Sequence, residues 1–372
     1  MIHLIHTADW QIGRQYGQFD TDDAAMLAEA RYEAVARIAA LAAERRADAV
    51  LVAGDVFDTQ AVSDRSIRRL FDALAAYAGP WVLIAGNHDA ALADSVWSRA
   101  HQLGCIGPNV HVPLRPGVVD LPELNLAVLA APLTQRHTYD DTTAIFDTLA
   151  TAPGRLRVGL AHGSVSGRLP DTVDSANPVA ADRAARARLD YLALGDWHGC
   201  LQVDARTWYA GTPEPDRFRA NASGGVLDVQ LPGAGAEPVV EAVPVGRYRW
   251  AHWAEALLLA SDAETLAHRL QDVGATDVLR LELSGQLTLG AWDALQEAIA
   301  RAAARTRALL LDTTDLSLAP DAQDLAALGA SGYVGEVAAQ LQAWQDEPTQ
   351  AAAARQALRL LVQFQRERTE AP

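Results

Sequence analysis

The sequence predicts an α/β fold with buried sheets, followed by a smaller α/β module and a helical tail. Three observations carry that prediction. Short apolar runs alternate with longer stretches of helical periodicity. Small polar clusters of Gly, Asp, Asn and His sit directly after five of those runs. The composition, 50% apolar and 21% charged, describes an ordered globular chain and excludes wholesale disorder. At 372 residues the chain can bury a sizeable core and still build a second unit.

Residues 2–6, 49–53, 81–85, 125–130, 156–161 and 191–194 read as strands, being brief and bounded by Gly, Pro or polar turn residues. Residues 22–46, 64–78, 94–103, 139–150 and 179–188 read as helices between them. In the first helix Met26, Tyr32, Val35, Ile38 and Leu41 recur at helical spacing, and Asp22 is the expected cap. Shorter strands follow at 208–210, 225–230 and 239–244, with a turn or linker signal at 231–238. Strands at 248–259, 278–284 and 308–312, separated by helices at 263–273 and 291–304, form a β-α-β-α-β module. From residue 321 the chain reads as helical, with apolar positions at Val337, Leu341 and Trp344 and then at Leu358, Leu361, Val362 and Phe364. The expected domains are therefore 1–245, 246–316 and 317–372.

Charge and cysteine usage narrow the class. There are 47 Asp and Glu against 31 cations, a formal net charge of −16, and every one of those cations is Arg. Such a balance argues against an autonomous, non-specific nucleic-acid binder. It leaves open an enzyme whose metals or partners supply positive charge. The lack of Lys and the abundance of Ala fit a GC-rich coding bias. Cys105 and Cys200 alone make neither a disulfide framework nor a zinc cage. The longest uncharged apolar run, residues 124–133, falls far short of the ~20 residues that span a bilayer. With no signal peptide legible, the expected compartment is the cytoplasm, without membrane partners.

The chemistry lies in the five clusters: Asp9-Trp10-Gln11; Gly54-Asp55 with Asp58; Gly86-Asn87-His88-Asp89; His162-Gly163; and Gly195-Asp196-Trp197-His198. Ligands in α/β folds gather outside the carboxyl ends of strands, so these clusters are expected to converge. Carboxylates, imidazoles and a side-chain amide suit divalent ions, and the flanking glycines allow close backbone approach. A single Asp after a strand is usually a cap, and a lone His is usually structural. Five in register after strands point to a metal site.

This pattern resembles the calcineurin-like metallophosphoesterase superfamily. The opening His-Thr-Ala-Asp-Trp, the Gly-Asp-Val-Phe-Asp at 54–58 and the Gly-Thr-Pro-Glu-Pro at 211–215 are similar to SbcD-like bacterial DNA repair exonucleases. The resemblance covers about residues 1–245 and implies a two-sheet sandwich flanked by helices, with the second module as a cap. It also implies that Asp9, Gln11 and His198 hold a first metal ion, that Asp55 bridges, and that Asn87, His162 and Asp196 complete a second. His88 would assist at the scissile phosphate, and the mechanism would be two-metal phosphodiester hydrolysis. Gln11 and Asp196 stand where the family usually has His. Exchanging two nitrogens for oxygens favours Mn²⁺, with Mg²⁺ as the alternative and Zn²⁺ disfavoured.

Around that set, Asp58 and Asp89 are expected to support the ligands by hydrogen bonds. Arg14, Arg217 and Arg219 are candidate contacts to substrate phosphate, with plain surface solvation as the competing reading. His3 and His6 read as satisfied structural residues, and Trp10 and Trp197 as packing or base-stacking groups. The expected activity is exonuclease or endonuclease action on DNA in repair, beside an SMC-like coiled-coil ATPase gripped by the C-terminal helices. A homodimer is left open. The alternatives are a phosphodiesterase or phosphatase acting on small molecules or nucleotides, and a catalytically weakened repair scaffold.

Overall fold

The computed structural model describes residues 1–168, 176–318 and 332–370, and the chain divides into two compact units, Met1–Tyr248 and Arg249 onward. The first unit is built on two six-stranded sheets. In the first sheet β1 (Ile2–Thr7), β2 (Ala49–Val52), β3 (Trp81–Leu83) and β4 (Val110–His111) run parallel. The second sheet takes β5 (Gly117–Leu121), β6 (Leu126–Ala131) and β7 (Leu156–His162). A two-stranded ribbon, β8 (Ser164–Val165) with β9 (Pro178–Val179), precedes β10 (Tyr191–Gly195), β11 (Leu201–Gln202) and β12 (Thr207–Tyr209) of that same sheet. The chain then returns to the first sheet as the antiparallel hairpin β13 (Gly225–Leu231) and β14 (Val239–Pro244). Strand orders are β14-β13-β1-β2-β3-β4 and β11-β12-β10-β7-β6-β5.

Between the sheets, Leu4, Leu51, Val82 and Ile84 of the first meet Leu126, Val128, Leu160 and Ala193 of the second. The alternate residues Ile5, Val50, Val52 and Leu83 face outward, yet they are buried too, in a second cluster. There they pack with Val35 and Ile38 of α1 (Thr21–Glu44), Ile67 and Leu70 of α2 (Asp64–Ala73), and Val96 and Trp97 of α3 (Val96–Gln102). Burial on both faces is why these strands read as unbroken apolar runs rather than alternating ones. The sandwich with flanking helices is the architecture expected.

Several local readings are corrected. Asp20, not Asp22, caps α1, accepting the Asp23 N–H at 2.8 Å. The helix expected over 139–150 is only a 3₁₀ turn, Thr142–Asp147. Here Asp141 accepts the N–H groups of Thr143 and Ala180 and a bond from Arg183 Nη2, and such side-chain bonding competes with helix. The helix expected over 179–188 shrinks to α4 (Arg183–Arg186), since Val179 is committed to pairing with Val165 and Arg188 turns left-handed at φ 52°. Residues 231–238 form the connection of the β13–β14 hairpin. The short strands β4, β5, β8, β9 and β11 carry no apolar run long enough to announce them.

The second unit is a parallel three-stranded sheet of β15 (Arg249–Leu257), β16 (Asp277–Leu287) and β17 (Ala308–Leu318). Crossovers α5 (Ala260–Arg269) and α6 (Leu289–Ala303) join them, as βαβ topology requires. Helix Tyr333–Trp344 adds Ala338 and Leu341 to this unit's core, and helix Ala351–Glu370 adds Leu358. The expected start of the tail at residue 321, and the side chains of Val362 and Phe364, lie outside the described residues. Among the described residues no helix is long and apolar enough to cross a membrane.

Candidate metal centre

The loops leaving β1, β2, β3, β7 and β10 meet, and backbone bonds tie them together. The Asp9 N–H donates to the Gly54 carbonyl at 3.0 Å, the Gln11 N–H to that of Asp55 at 2.8 Å, and the Gly163 N–H to that of Gly195 at 3.1 Å. Four candidate residues, Asp9, Gln11, Asp55 and Asp196, turn left-handed at φ 54°, 45°, 50° and 101°. Non-glycine residues seldom adopt that region, and such strain concentrates where side chains must be aimed. The glycines beside them are needed for space. A Cβ on Gly54 would lie 2.4 Å from His162 Nδ1, and one on Gly86 would lie 2.2 Å from Asp55 Oδ1.

Ligand atoms of Asp9, Asp55 and His162, all buried, lie within 4.8 Å of one another. His162 Nδ1 donates to the Ala53 carbonyl at 2.8 Å, which turns Nε2 toward the cluster. Around Nε2 stand Asn87 Oδ1 at 2.9 Å, Asp55 Oδ1 at 3.6 Å and Asp196 Oδ1 at 3.8 Å. Bonds of about 2.1 Å to a six-coordinate cation place neighbouring donors about 3 Å apart, so this group fits one divalent ion with little movement. Burial on its own would lower the His162 pKa, but the carboxylates of Asp55, Asp9 and Asp196 outweigh it and hold the imidazole up at about 9. Burial likewise pushes Asp9 up to about 6, against the pull of His198 and His162. Asp196 is raised by burial as well, despite the attraction of His162 and a 2.8 Å bond from Ser164 Oγ. Buried acids crowded around one imidazole mark a place built for positive charge.

His88 donates from Nδ1 to the Asp58 carbonyl at 2.8 Å, leaving Nε2 3.9 Å from Asp55 Oδ2 at the open rim. Asp58 therefore orients His88 through its main chain, while its carboxylate lies 3.6 Å from Arg14 Nη1. Buried Asp89 accepts the N–H groups of Gly86, Val56 and Phe57 at 2.7, 2.9 and 3.1 Å, stapling two of the loops. Its carboxyl is pushed up to about 7 by burial, reinforced by the charge of Asp55. Gln11 and His198 pair with each other, the Gln11 amide nitrogen lying 3.2 Å from His198 Nε2. Arg14 Nη1 donates to Gln11 Oε1 at 2.6 Å, Arg217 lies against His198, and Arg219 stacks 5.1 Å over the Trp197 ring. Trp10 is a packing residue, buried edge-on against Trp81 with its N–H on Thr7. His3 and His6 are engaged away from the centre, with Asp228 and with Tyr191 and Leu194 respectively.

Two participants lie outside the five motif clusters. Asp216 accepts from His198 Nδ1 at 3.0 Å and is held well below the usual carboxylate range. Burial opposes that charge, and His198, Arg31 and Arg217 overcome it. Arg31 is a buried cation of α1, donating to Tyr16 and to the Trp10 carbonyl and lying 3.6 Å from Asp216. Its position was a usable signal. Arg31 falls four residues after Leu27 and four before Val35, both buried on the apolar stripe, where a guanidinium needs an internal acid.

The profile of the calcineurin-like phosphoesterase family matches residues 2–188. The chain belongs to that family. As a calcineurin-like phosphoesterase it is similar, at 29% identity over 265 residues, to the DNA double-strand break repair protein Mre11 of Aeropyrum pernix. That match covers 66% of this chain and 62% of the relative. It is 38% identical over 96 residues to the D chain of the SbcCD nuclease of Rhodobacter capsulatus, covering 24% of this chain and 22% of that one. The chain thus spans less than two thirds of the length of either relative. The solved structure of TT1561 of Thermus thermophilus overlaps 66% of this chain and 99% of its own, at TM-score 0.41 and 12% identity. Asp196, His198 and Asp216 lie beyond the matched segment, and the fold brings them back to it.

Proposed function

We propose that the chain is a divalent-metal-dependent phosphodiesterase acting on DNA, a repair nuclease of the calcineurin-like family. The observation that carries the chemistry is the convergence of Asp55, Asn87 and Asp196 oxygens on His162 Nε2, with His88 at the rim. When bound, a divalent ion supplies Lewis acidity and a nucleophile from water at neutral pH. Asp9, Asp55, Asn87, His162 and Asp196 would hold it. Four oxygens to one nitrogen favour Mn²⁺ or Mg²⁺ over Zn²⁺.

The chain's own side chains do the rest. His88, with Nδ1–H fixed on the Asp58 carbonyl, holds or delivers a proton through Nε2 toward the leaving oxygen. Arg14 and Arg217 neutralise the phosphate, and with no Lys available any side-chain cation gripping DNA is an Arg. A formal charge of −16 means bulk attraction will not hold DNA, so local Arg contacts, metal and a partner must. The DNA reading is supported by the two relatives, one a break-repair protein and one a component of a nuclease. That second relative supports a partner as well, which we take to be an SMC-like coiled-coil ATPase in the cytoplasm, bound through the C-terminal helices.

The test compares Mn²⁺-dependent digestion of linear DNA with hydrolysis of an aryl phosphodiester. DNA cleavage is expected, and His88→Ala should abolish it while leaving metal binding intact. Ester hydrolysis without DNA cleavage would move the reading to a small-molecule phosphodiesterase, and inactivity on both would leave a scaffold.

A further inference from the structure

The residues beside the His162 group do not match a second ion. Arg14 can only donate, so its 2.6 Å bond fixes the Gln11 amide with Oε1 toward the guanidinium. The amide N–H then points at His198 Nε2, 3.2 Å away, and that nitrogen must accept. The imidazole proton is thereby on Nδ1, donating to Asp216 at 3.0 Å. Arg217 Nη2 also comes within 2.7 Å of Nδ1, a close approach that this tautomer does not satisfy. The donor order imposed by Arg14 on the other nitrogen decides between the two. In this arrangement the single lone pair of His198 Nε2 is taken by the Gln11 amide, and Arg14 holds one of the two on Gln11 Oε1.

Charge points the same way. Asp216 is shared by three guanidiniums, Arg14 at 3.4 Å, Arg31 at 3.6 Å and Arg217 at 2.9 Å, and with Asp58 3.6 Å from Arg14 the cations there exceed the carboxylates by 3 − 2 = 1. On the His162 side three carboxylates, Asp9, Asp55 and Asp196, surround one imidazole. One half of the centre is deficient in positive charge and the other is already supplied with it.

We propose that this centre holds one divalent ion, at the His162 side, and that Gln11 with Arg14 closes the second position and substitutes a guanidinium for the second ion. Arg14 then meets a non-bridging phosphate oxygen through N–H groups rather than by metal coordination. The inference rests on reading the centre as a metal phosphoesterase, and its test separates the two.

The full chain is loaded with Mn²⁺, freed of excess by gel filtration, and its metal counted by mass spectrometry. Electron paramagnetic resonance on the same sample distinguishes an isolated Mn²⁺ from a coupled pair. The wild type should hold about one ion per chain with the six-line signal of isolated Mn²⁺. Gln11→His should admit a second and give a coupled spectrum. Arg14→Ala, a milder change at a partly exposed side chain, should by calorimetry tighten the second ion about tenfold or more. Two ions of similar affinity in the wild type, or a coupled spectrum there, would overturn the proposal. Variants that both stay at one ion would overturn the assignment to Gln11 and Arg14. No bound Mn²⁺ at all would overturn this proposal and the metal reading beneath it.

Discussion

His6 sets a measurable limit on acid stability. It lies on β1, wholly buried, with Nε2–H donating to the Leu194 carbonyl at 3.2 Å and Nδ1 accepting from the Tyr191 hydroxyl at 2.9 Å. Burial lowers its pKa from 6.5 to about 3, the Leu194 carbonyl opposing only in part. The folded imidazole therefore stays neutral while the unfolded one takes up a proton as pH falls below 6.5. Stability is retained above 6.5 and is lost as pH falls from there toward 3. One pKa unit is about 1.4 kcal/mol, so the full loss approaches about 5 kcal/mol, with about 2 kcal/mol of it between pH 7 and pH 5. Gln at position 6 can donate to Leu194 and accept from Tyr191 without titrating. Urea unfolding of wild type and His6→Gln, both in chelator, at pH 7, 6 and 5 gives the difference directly. His162, whose raised pKa acts in the opposite sense and adds stability toward low pH, cancels between the two proteins. The gap should move by about 2 kcal/mol in favour of the variant from pH 7 to pH 5. A gap constant to within about 0.5 kcal/mol would refute the buried neutral imidazole.

Other predictions concern the centre. Gly86→Ala sets a methyl group 2.2 Å from Asp55 Oδ1 and 2.5 Å from its backbone nitrogen, and should weaken Mn²⁺ affinity about 10- to 100-fold by calorimetry. Asp216→Asn removes the acid shared by Arg31, Arg14 and Arg217; urea unfolding should show a loss of about 3 kcal/mol, mostly from the stranded Arg31. Chelation should lower the melting temperature, and Mn²⁺ at 100 times its Kd should restore about 2.7 kcal/mol, whereas an unchanged melting curve would deny a metal at the acid cluster. His88→Ala should bind Mn²⁺ as wild type does and fail to cleave DNA.

The sandwich was legible because its strands are buried on both faces. Runs such as Leu126–Ala131 leave few other readings, and the Gly-Asp and Gly-Asn-His-Asp clusters follow such runs directly. What escaped depends on contacts distant in sequence. Asp141 dissolves an expected helix because Arg183, 42 residues away, needs its carboxylate. Asp216 looks like an ordinary loop acid until the fold sets it 3.6 Å from Arg31. The identity of Gln11 was plain, but its role turns on which end of the amide faces Arg14, and only geometry supplies that.

The antiparallel pairing of β1 with β13, Ile2 against Leu231 through His6 against Leu227, bears on how the chain is made. During synthesis β1 has one flank open until more than two hundred further residues have followed it. Contacts of such long sequence separation slow folding and leave a bare strand edge in the interval. A truncation ending at residue 188, where the family match stops, would lack β10 and both strands of the closing hairpin. Such a fragment should aggregate rather than fold. The shortest product able to complete both sheets runs to Pro244, the last residue of β14.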